Sequence, residues 1–245
     1  MLATWLGPSL PALAAERISV PLEDLPPYSS PDAQGQPQGY AVELARELLR
    51  RAGLEGDYAF ESWPRVMRAG QSRPNVLLPA IVRLPQREHQ FHWLGTTTLR
   101  QGTLYRLKSR PEVAPRDIEG LKAYRIAVVK DDVAEQELLD LGLKLGVQID
   151  RSADVASVLR KFLAGRDDLV AINPQFVARL FQQHGLDAEL IEPVLSYPAS
   201  ARPSIAVSLA TAPALRQQLQ QAWDSMRRDG TVAALARRHG VPAPD

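Results

Sequence analysis

The chain has 245 residues, of which 45% are hydrophobic and 23% charged, with a formal net charge of +1. This composition is ordinary for a soluble globular protein and gives no reason to expect nucleic acid or an anionic membrane as a partner. The absence of cysteine excludes disulfides, Cys-ligated zinc, iron–sulfur clusters and a thiol nucleophile. A chain of this length accommodates one large hydrophobic core or two small ones.

The first fifteen residues read MLATWLGPSLPALAA and end in small residues that are typical of a secretory cleavage site. The segment lacks a basic start and its apolar stretch is short, so we interpret residues 1–15 as a truncated signal peptide whose true start lies upstream. A short apolar arm is the alternative. The signal predicts a periplasmic protein. The chain contains no run of 18 apolar residues, so the sequence predicts no helix that spans a membrane.

The next part of the chain alternates between strand and helix patterns. The spacing predicts an amphipathic helix over 40–52, ended by Gly53, because apolar residues recur at helical spacing. Strands are predicted over 17–22, 57–62 and 75–82, and a short helix over 66–70. This order favours a parallel sheet with helices on its faces.

Candidate ligand residues follow the ends of these strands. Ligands bind beyond the carboxyl ends of strands in such sheets, and arginine offers a planar fork that matches a carboxylate. The candidates are Tyr28, Trp63, Arg65, Arg83 and Arg87. The alternatives are core packing for the two aromatic residues and exposed surface charges or ion pairs for the arginines.

A second block of strands and helices begins near residue 124. Asp131 and Asp132 are placed to cap a helix over 133–141, and Asn173 ends a short buried strand over 169–172. Asp132 and Asn173 join the candidate ligand residues; helix capping and an ordinary turn are their alternatives. Extended segments near 99–107 and 199–208 cross between the two blocks, which predicts a hinge with a ligand cleft between two lobes.

The chain after residue 15 resembles the family-3 periplasmic solute-binding proteins, the binding components of polar amino acid ABC transporters. The resemblance rests on the order and spacing of short stretches rather than on any single one. These are PPYS at 26–29, GYAVELA at 39–45, WPR at 63–65, IVRLPQRE at 81–88, FHWLG at 91–95, AGRDD at 164–168 and MRRDGT at 226–231.

The resemblance implies a type II periplasmic-binding-protein-like fold: two α/β lobes, each a mainly parallel sheet flanked by helices, joined by a two-crossover hinge. It assigns residues 16–104 plus 204–245 to lobe 1 and 108–199 to lobe 2, with the hinge near 99–108 and 199–206. It implies that Arg87 pairs with a ligand carboxylate. It also implies no catalysis. We expect no metal, because the four histidines have no spacing suited to a shared ion, and no cofactor.

The sequence departs from the family's grip on an α-amino acid at several positions. Val82 and Leu84 replace hydroxyl residues before Arg87, and Asp131 and Asp132 replace small neutral residues at the helix start. Asn173 stands where an aspartate usually holds the ammonium, and it carries no charge to offset one.

These observations predict a monomeric periplasmic protein that captures a small polar, amino-acid-like or carboxylate-bearing molecule by hinge closure and delivers it to an ABC permease. A ligand-sensing protein read by a membrane sensor is the first alternative. A dehydratase-like enzyme that uses a carboxylate in the closed cleft is the second, since fold does not fix function.

Overall fold

The computed structural model of the chain describes residues 17–199 and 201–244. The predicted signal peptide over 1–15 lies outside the described residues. Within the described part, no helix is both long enough and apolar enough to cross a membrane.

Twelve strands and seven α-helices are assigned across the described residues. The strands are β1 (Arg17–Leu22), β2 (Ser30–Pro31), β3 (Pro37–Gln38), β4 (Glu55–Phe60), β5 (Leu77–Arg83), β6 (Phe91–Thr96), β7 (Gln101–Leu107), β8 (Ile126–Val129), β9 (Ile149–Ser152), β10 (Leu169–Ala171), β11 (Ile191–Pro198) and β12 (Arg202–Ser208). The helices are α1 (Tyr40–Ala52), α2 (Trp63–Ser72), α3 (Val133–Asp140), α4 (Val155–Leu163), α5 (Val177–Gln183), α6 (Pro213–Arg228) and α7 (Thr231–Arg238).

The elements form two lobes with separate sheets. Lobe 1 contains the parallel pair β1–β4 and the three-stranded sheet β5-β12-β6, with α1, α2, α6 and α7. Lobe 2 contains the five-stranded sheet β11-β7-β10-β8-β9, with α3, α4 and α5. The five-stranded sheet is mixed and the three-stranded sheet is antiparallel, where the sequence predicted mainly parallel sheets. The antiparallel pairs arise because β7, β11 and β12 carry the chain between lobes and run against their neighbours.

Lobe 1 is built around the predicted amphipathic helix α1, which spans 40–52 as expected. Its apolar face packs against α6 and α7 around the fully buried Trp223 and Tyr40. Gly53 ends α1 in the left-handed conformation at φ 65°, which glycine adopts at no steric cost. The apolar stripe of α1 thus supplies the main core of lobe 1.

Helix α2 is longer than the sequence predicted. It spans Trp63–Ser72 rather than 66–70, because Pro64 occupies the first turn, where its fixed φ suits a helix and its missing N–H costs nothing. Trp63 and Arg65 therefore lie on the first turn of a helix, not in a loop after β4.

The two connections between the lobes run side by side. One leaves β6 and enters β7, and the other leaves β11 and enters β12. Strands β7 and β11 pair antiparallel, with Tyr197 opposite Gly102 in the register. In the first connection, Thr97 donates its backbone N–H to the carbonyl of Pro203 at 2.9 Å. Both crossings therefore lie at one edge of the molecule.

The close pairing at Gly102 generates the first prediction. A Cβ at Gly102 would overlap the ring of Tyr197, a side chain that is 1% exposed and has no free space beside it. We expect Gly102→Ala to cost about 1–3 kcal/mol through overpacking, which lowers Tm by roughly 2–10 °C in a chain of this size.

Gly120→Ala is the matched control for this measurement by thermal unfolding. The nearest atom to a Cβ at Gly120 is Oδ1 of Asp117 at 3.3 Å, the end of an exposed side chain that can shift. This half-buried position in the 3-10 helix Glu119–Ala123 tolerates the change within about 0.5 kcal/mol. Equal Tm values for the two variants would show that the crossing does not depend on the bare Gly102 backbone.

Candidate functional site

Arg87 lies on a short 3-10 helix, Pro85–Gln90, that follows β5 at the edge of lobe 1. Its guanidinium donates to the Val82 carbonyl at 3.1 Å and lies 5.4 Å from the centre of the Trp63 ring. The side chain is partly buried. Burial lowers the pKa of Arg87, and the Asp132 carboxylate opposes that shift. The arginine is thus held from behind by lobe 1 and faces an acidic group of lobe 2.

Arg87 and Asp132 line a cavity of about 360 Å³ between the lobes, which we call the cleft cavity. Lobe 1 contributes Leu84, Gln86 and Arg87, and lobe 2 contributes residues at the start and along one side of α3. Asp132 is the N-cap of α3, and its Oδ1 accepts from the Val133 N–H at 2.6 Å. Asp132 therefore caps α3, as predicted, and also lines the cleft cavity.

A second cavity, of about 290 Å³, adjoins the cleft cavity at Asp132 and Val133. We call it the inner cavity. Its walls come from β8, α3, α4, β10 and α5 of lobe 2, with Val82 of lobe 1 and Arg100 of the first crossing. Asn173 also lines it, while its Oδ1 accepts from the Gln175 N–H at 3.1 Å.

Arg100 forms a buried ion pair that the sequence analysis missed. Its Nη1 lies 2.5 Å from Oε1 of Glu137 on α3, and the two side chains are 12% and 2% exposed. The second oxygen of Glu137 is buried without a hydrogen-bond partner among the described residues. Burial raises the pKa of Glu137, and Arg100 opposes the rise. The pair joins the first crossing to lobe 2.

One sequence signal pointed toward Glu137. It lies three residues after Ala134 and next to Leu138, both buried, so it occupies the inward face of α3. A charged residue on such a face requires a partner. The identity of that partner, 37 residues away, is set by the fold and has no local pattern.

Tyr28 links the two lobes. Its hydroxyl donates to Oε1 of Gln175 in lobe 2 at 2.7 Å, and its ring lies 6.2 Å from that of Phe176. The side chain is 7% exposed, and burial raises its pKa to about 12. Arg179 of lobe 2 lies 3.7 Å from Asp24 of lobe 1 beside it. The lobes are thus in contact, and the Tyr28 hydroxyl is engaged across the cleft.

Trp63, Arg65 and Arg83 occupy different settings. Trp63 is partly buried and supports the Arg87 guanidinium. Arg65 is 74% exposed and lies 3.5 Å from Glu61, beside a groove that also contains Arg68 and Arg73.

Arg83 is engaged on its own lobe. Its Nε donates to Glu88 at 2.8 Å, and its guanidinium covers the Trp93 ring at 5.4 Å. The structure therefore brings Arg87, Asp132 and Asn173 to the two cavities, while Arg65 and Arg83 line neither of them.

Metal ligation has no support in the described residues. Across 17–199 and 201–244, no three histidine, aspartate or glutamate side chains are grouped so that they could hold a metal ion. The polar groups that line the cleft cavity are instead the guanidinium of Arg87, the carboxylates of Asp131, Asp132 and Glu135, and the amides of Gln86 and Gln136, a set suited to an organic ion.

The family model of bacterial extracellular solute-binding proteins, family 3, matches residues 19–242. The chain belongs to this family. No curated protein matches this solute-binding protein significantly in sequence.

Solved structures share its fold at low sequence identity. A histidine kinase sensor domain with similarity to periplasmic binding proteins has a TM-score of 0.71 and 22% identity, covering 94% of this chain and 99% of that one. An ancestral arginine-binding protein bound to arginine has a TM-score of 0.66 and 18% identity, covering 91% and 97%.

The ancestral amino acid-binding protein AncCDT-1, a precursor of cyclohexadienyl dehydratase, has a TM-score of 0.63 and 17% identity, covering 91% of this chain and 94% of that one. These likenesses confirm the predicted two-lobe type II fold. Identities this low carry the fold alone and assign no ligand to this chain.

The buried pair generates a pH-dependent prediction. Arg100→Ala leaves the Glu137 carboxylate buried without a counter-charge, so its pKa in the folded state rises further above the unfolded value of about 4.3. The destabilisation is absent below that pH, grows as pH rises from the unfolded pKa towards the folded pKa, and stays constant above the folded pKa. We expect the variant to lose about 3–5 kcal/mol of unfolding free energy at pH 8 and progressively less towards pH 5.

Denaturant unfolding at several pH values measures this effect. The double variant Arg100→Ala/Glu137→Gln is the control, since it carries no buried carboxylate at this position and its deficit stays constant with pH. A deficit of the single variant that is equal at pH 5 and pH 8 would contradict the assigned role of the pair.

Proposed function

We propose that this solute-binding protein captures a small carboxylate-bearing, amino-acid-like molecule between its lobes and closes over it by rotation at the two crossings. One observation carries the proposal: Arg87 of lobe 1 faces Asp132 of lobe 2 across the cleft cavity. Its guanidinium is held by Val82 and Trp63. A zwitterion fits between a fixed cation and a fixed anion.

Each polar residue of the cleft then has a role. Arg87 pairs with the ligand carboxylate through N–H donors that are not directed to Val82. Asp132 and the Asn173 side chain accept from the ligand ammonium. Trp63 keeps the guanidinium in place, and Tyr28 secures the closed arrangement through Gln175. Arg83, committed to Glu88, and Arg65, in its own groove, take no part.

Closure follows because the ligand makes more contacts with the closed form of the protein than with the open form. In the open form the ligand touches lobe 1 alone, and in the closed form it also meets Asp132 and Asn173 of lobe 2. A ligand shifts the equilibrium only by the contacts it gains in the favoured form. The closed protein is then the form that a membrane partner recognises, and we propose that it acts in the periplasm and delivers the ligand to an ABC permease.

A sensory role is the second candidate, supported by the likeness to a histidine kinase sensor domain at a TM-score of 0.71. Ligand binding is the same in both roles, and only the membrane protein that recognises the closed form differs. Uptake of labelled ligand by cells with and without this protein separates the two roles, because loss of uptake on deletion supports delivery and unchanged uptake supports sensing.

The binding step is tested by calorimetry on protein stripped of ligand by unfolding and refolding. The panel contains amino acids, small dicarboxylates and amines. We expect Arg87→Ala to weaken the best ligand by roughly 10–100-fold, since a hydrogen bond to a charged group contributes about 1.5–3 kcal/mol.

Arg83→Ala is the matched control: it removes the same group four residues earlier, outside both cavities, and should change the affinity less than about twofold. Equal losses in Arg87→Ala and Arg83→Ala, or no loss in either, would contradict the assignment of Arg87. Failure of every member of the panel to bind would contradict the solute-binding role itself.

A further inference from the structure

The inner cavity has a different chemistry from the cleft cavity. Of its fifteen lining residues, only Arg100, Asp132 and Asn173 are polar. The others are valine, leucine, isoleucine, alanine and phenylalanine, all from lobe 2 except Val82. The cleft cavity, in contrast, is lined mainly by charged and amide side chains. The two cavities therefore suit two different parts of one molecule.

The three polar residues of the inner cavity already have partners within the protein. Arg100 pairs with Glu137 at 2.5 Å, Asp132 accepts from the Val133 N–H at 2.6 Å, and Asn173 accepts from the Gln175 N–H at 3.1 Å. A charged group that entered the cavity beyond Asp132 would meet apolar walls and the cationic Arg100. Desolvating an unpaired charge is costly, and a cationic side group is additionally repelled by Arg100.

The position of the inner cavity relates it to the ligand. It adjoins the cleft cavity at Asp132 and Val133, on the start of α3. A molecule with its carboxylate at Arg87 and its ammonium near Asp132 and Asn173 extends its side group past Val133 into lobe 2. The volume of about 290 Å³ lies at the lower end of the range for small-molecule sites, so it suits a single branched aliphatic or aromatic group.

We propose that the ligand of this protein is a small amino acid with an uncharged, apolar side group that seats in the inner cavity, such as a branched-chain or aromatic amino acid. This inference rests on the function proposed above and adds the ligand class. It separates this chain from the structural neighbour that holds arginine, because the one carboxylate that lines the inner cavity, that of Asp132, is assigned to the ligand ammonium and no second one is there for a guanidinium.

The test compares ligands and a cavity-filling variant by calorimetry. The ligands are leucine and phenylalanine, with their 2-oxo acids, alanine, arginine, lysine and glutamate for comparison. We expect the best apolar ligand to bind at least about tenfold more tightly than arginine, lysine or glutamate, in line with the discrimination that a hydrophobic pocket provides.

Ala171→Leu places a larger side chain in the wall of the inner cavity and should weaken the best apolar ligand by tenfold or more. Ala178→Leu is the matched control, since Ala178 is exposed on α5 and its replacement should leave the affinity unchanged. The ranking of ligands on the native protein keeps the inference testable if Ala171→Leu fails to fold.

Tighter binding of arginine, lysine or glutamate than of any apolar ligand would overturn the inference, as would full affinity for the apolar ligand in a folded Ala171→Leu variant. If the charged ligand still loses affinity in Arg87→Ala, the proposed function stands and this inference alone fails. If no ligand of either class binds, the proposed function fails and the inference falls with it.

Discussion

The double crossing between the lobes is the constraint on which the rest of the structure depends. Strands β7 and β11 are antiparallel neighbours, so both connections must leave lobe 2 at the same edge of its sheet. The Tyr197 ring lies directly on the bare backbone of Gly102, which keeps the two strands in register. With both connections at one edge, the opposite edges of the lobes are free to approach or separate, and the cleft lies between them.

Electrostatics then determines what the cleft can hold. The start of α3 has positive helix-dipole character, which favours anions, but Asp132 already occupies it as a cap. Arg87 faces this carboxylate from the other lobe, so the proposed anion-binding group of the cleft is Arg87 and not the start of α3. Asn173, uncharged and engaged with Gln175, does not add an anion. The cleft cavity is lined by Arg87 and by the carboxylates of Asp131, Asp132 and Glu135, so it is polar with an excess of acidic groups, and the mostly apolar inner cavity adjoins it.

Local patterns in the sequence were sufficient for much of this fold. The apolar stripe over 40–52 and the glycine at 53 define α1 as observed, and the family motifs identify the two-lobe arrangement. Arg87 could be singled out because it follows a buried strand, and the structure brings it to the cleft. Arg65 and Arg83 also follow predicted strands, but neither reaches the cavities. Pro64 starts the helix that contains Arg65, and Arg83 pairs with Glu88.

The features that sequence reasoning missed depend on contacts between distant parts of the chain. Arg100 and Glu137 are separated by 37 residues, and no spacing rule connects them. Tyr28 and Gln175 lie 147 residues apart and meet only because the lobes are in contact. The inner cavity has the same origin, since its lobe-2 walls come from five strands and helices, each of which has the sequence pattern of ordinary core. Periodicity identifies which residues are buried but not which buried faces leave a space between them.

The most direct test of the proposed binding mode is a crystal structure of the protein with the tightest ligand of the calorimetric panel. We expect the ligand to lie between the lobes, with its carboxylate on Arg87, its polar centre near Asp132 and Asn173, and its side group in the inner cavity. A ligand bound elsewhere, for example in the groove of Arg65, Arg68 and Arg73, or one bound without contact to lobe 2, would contradict it.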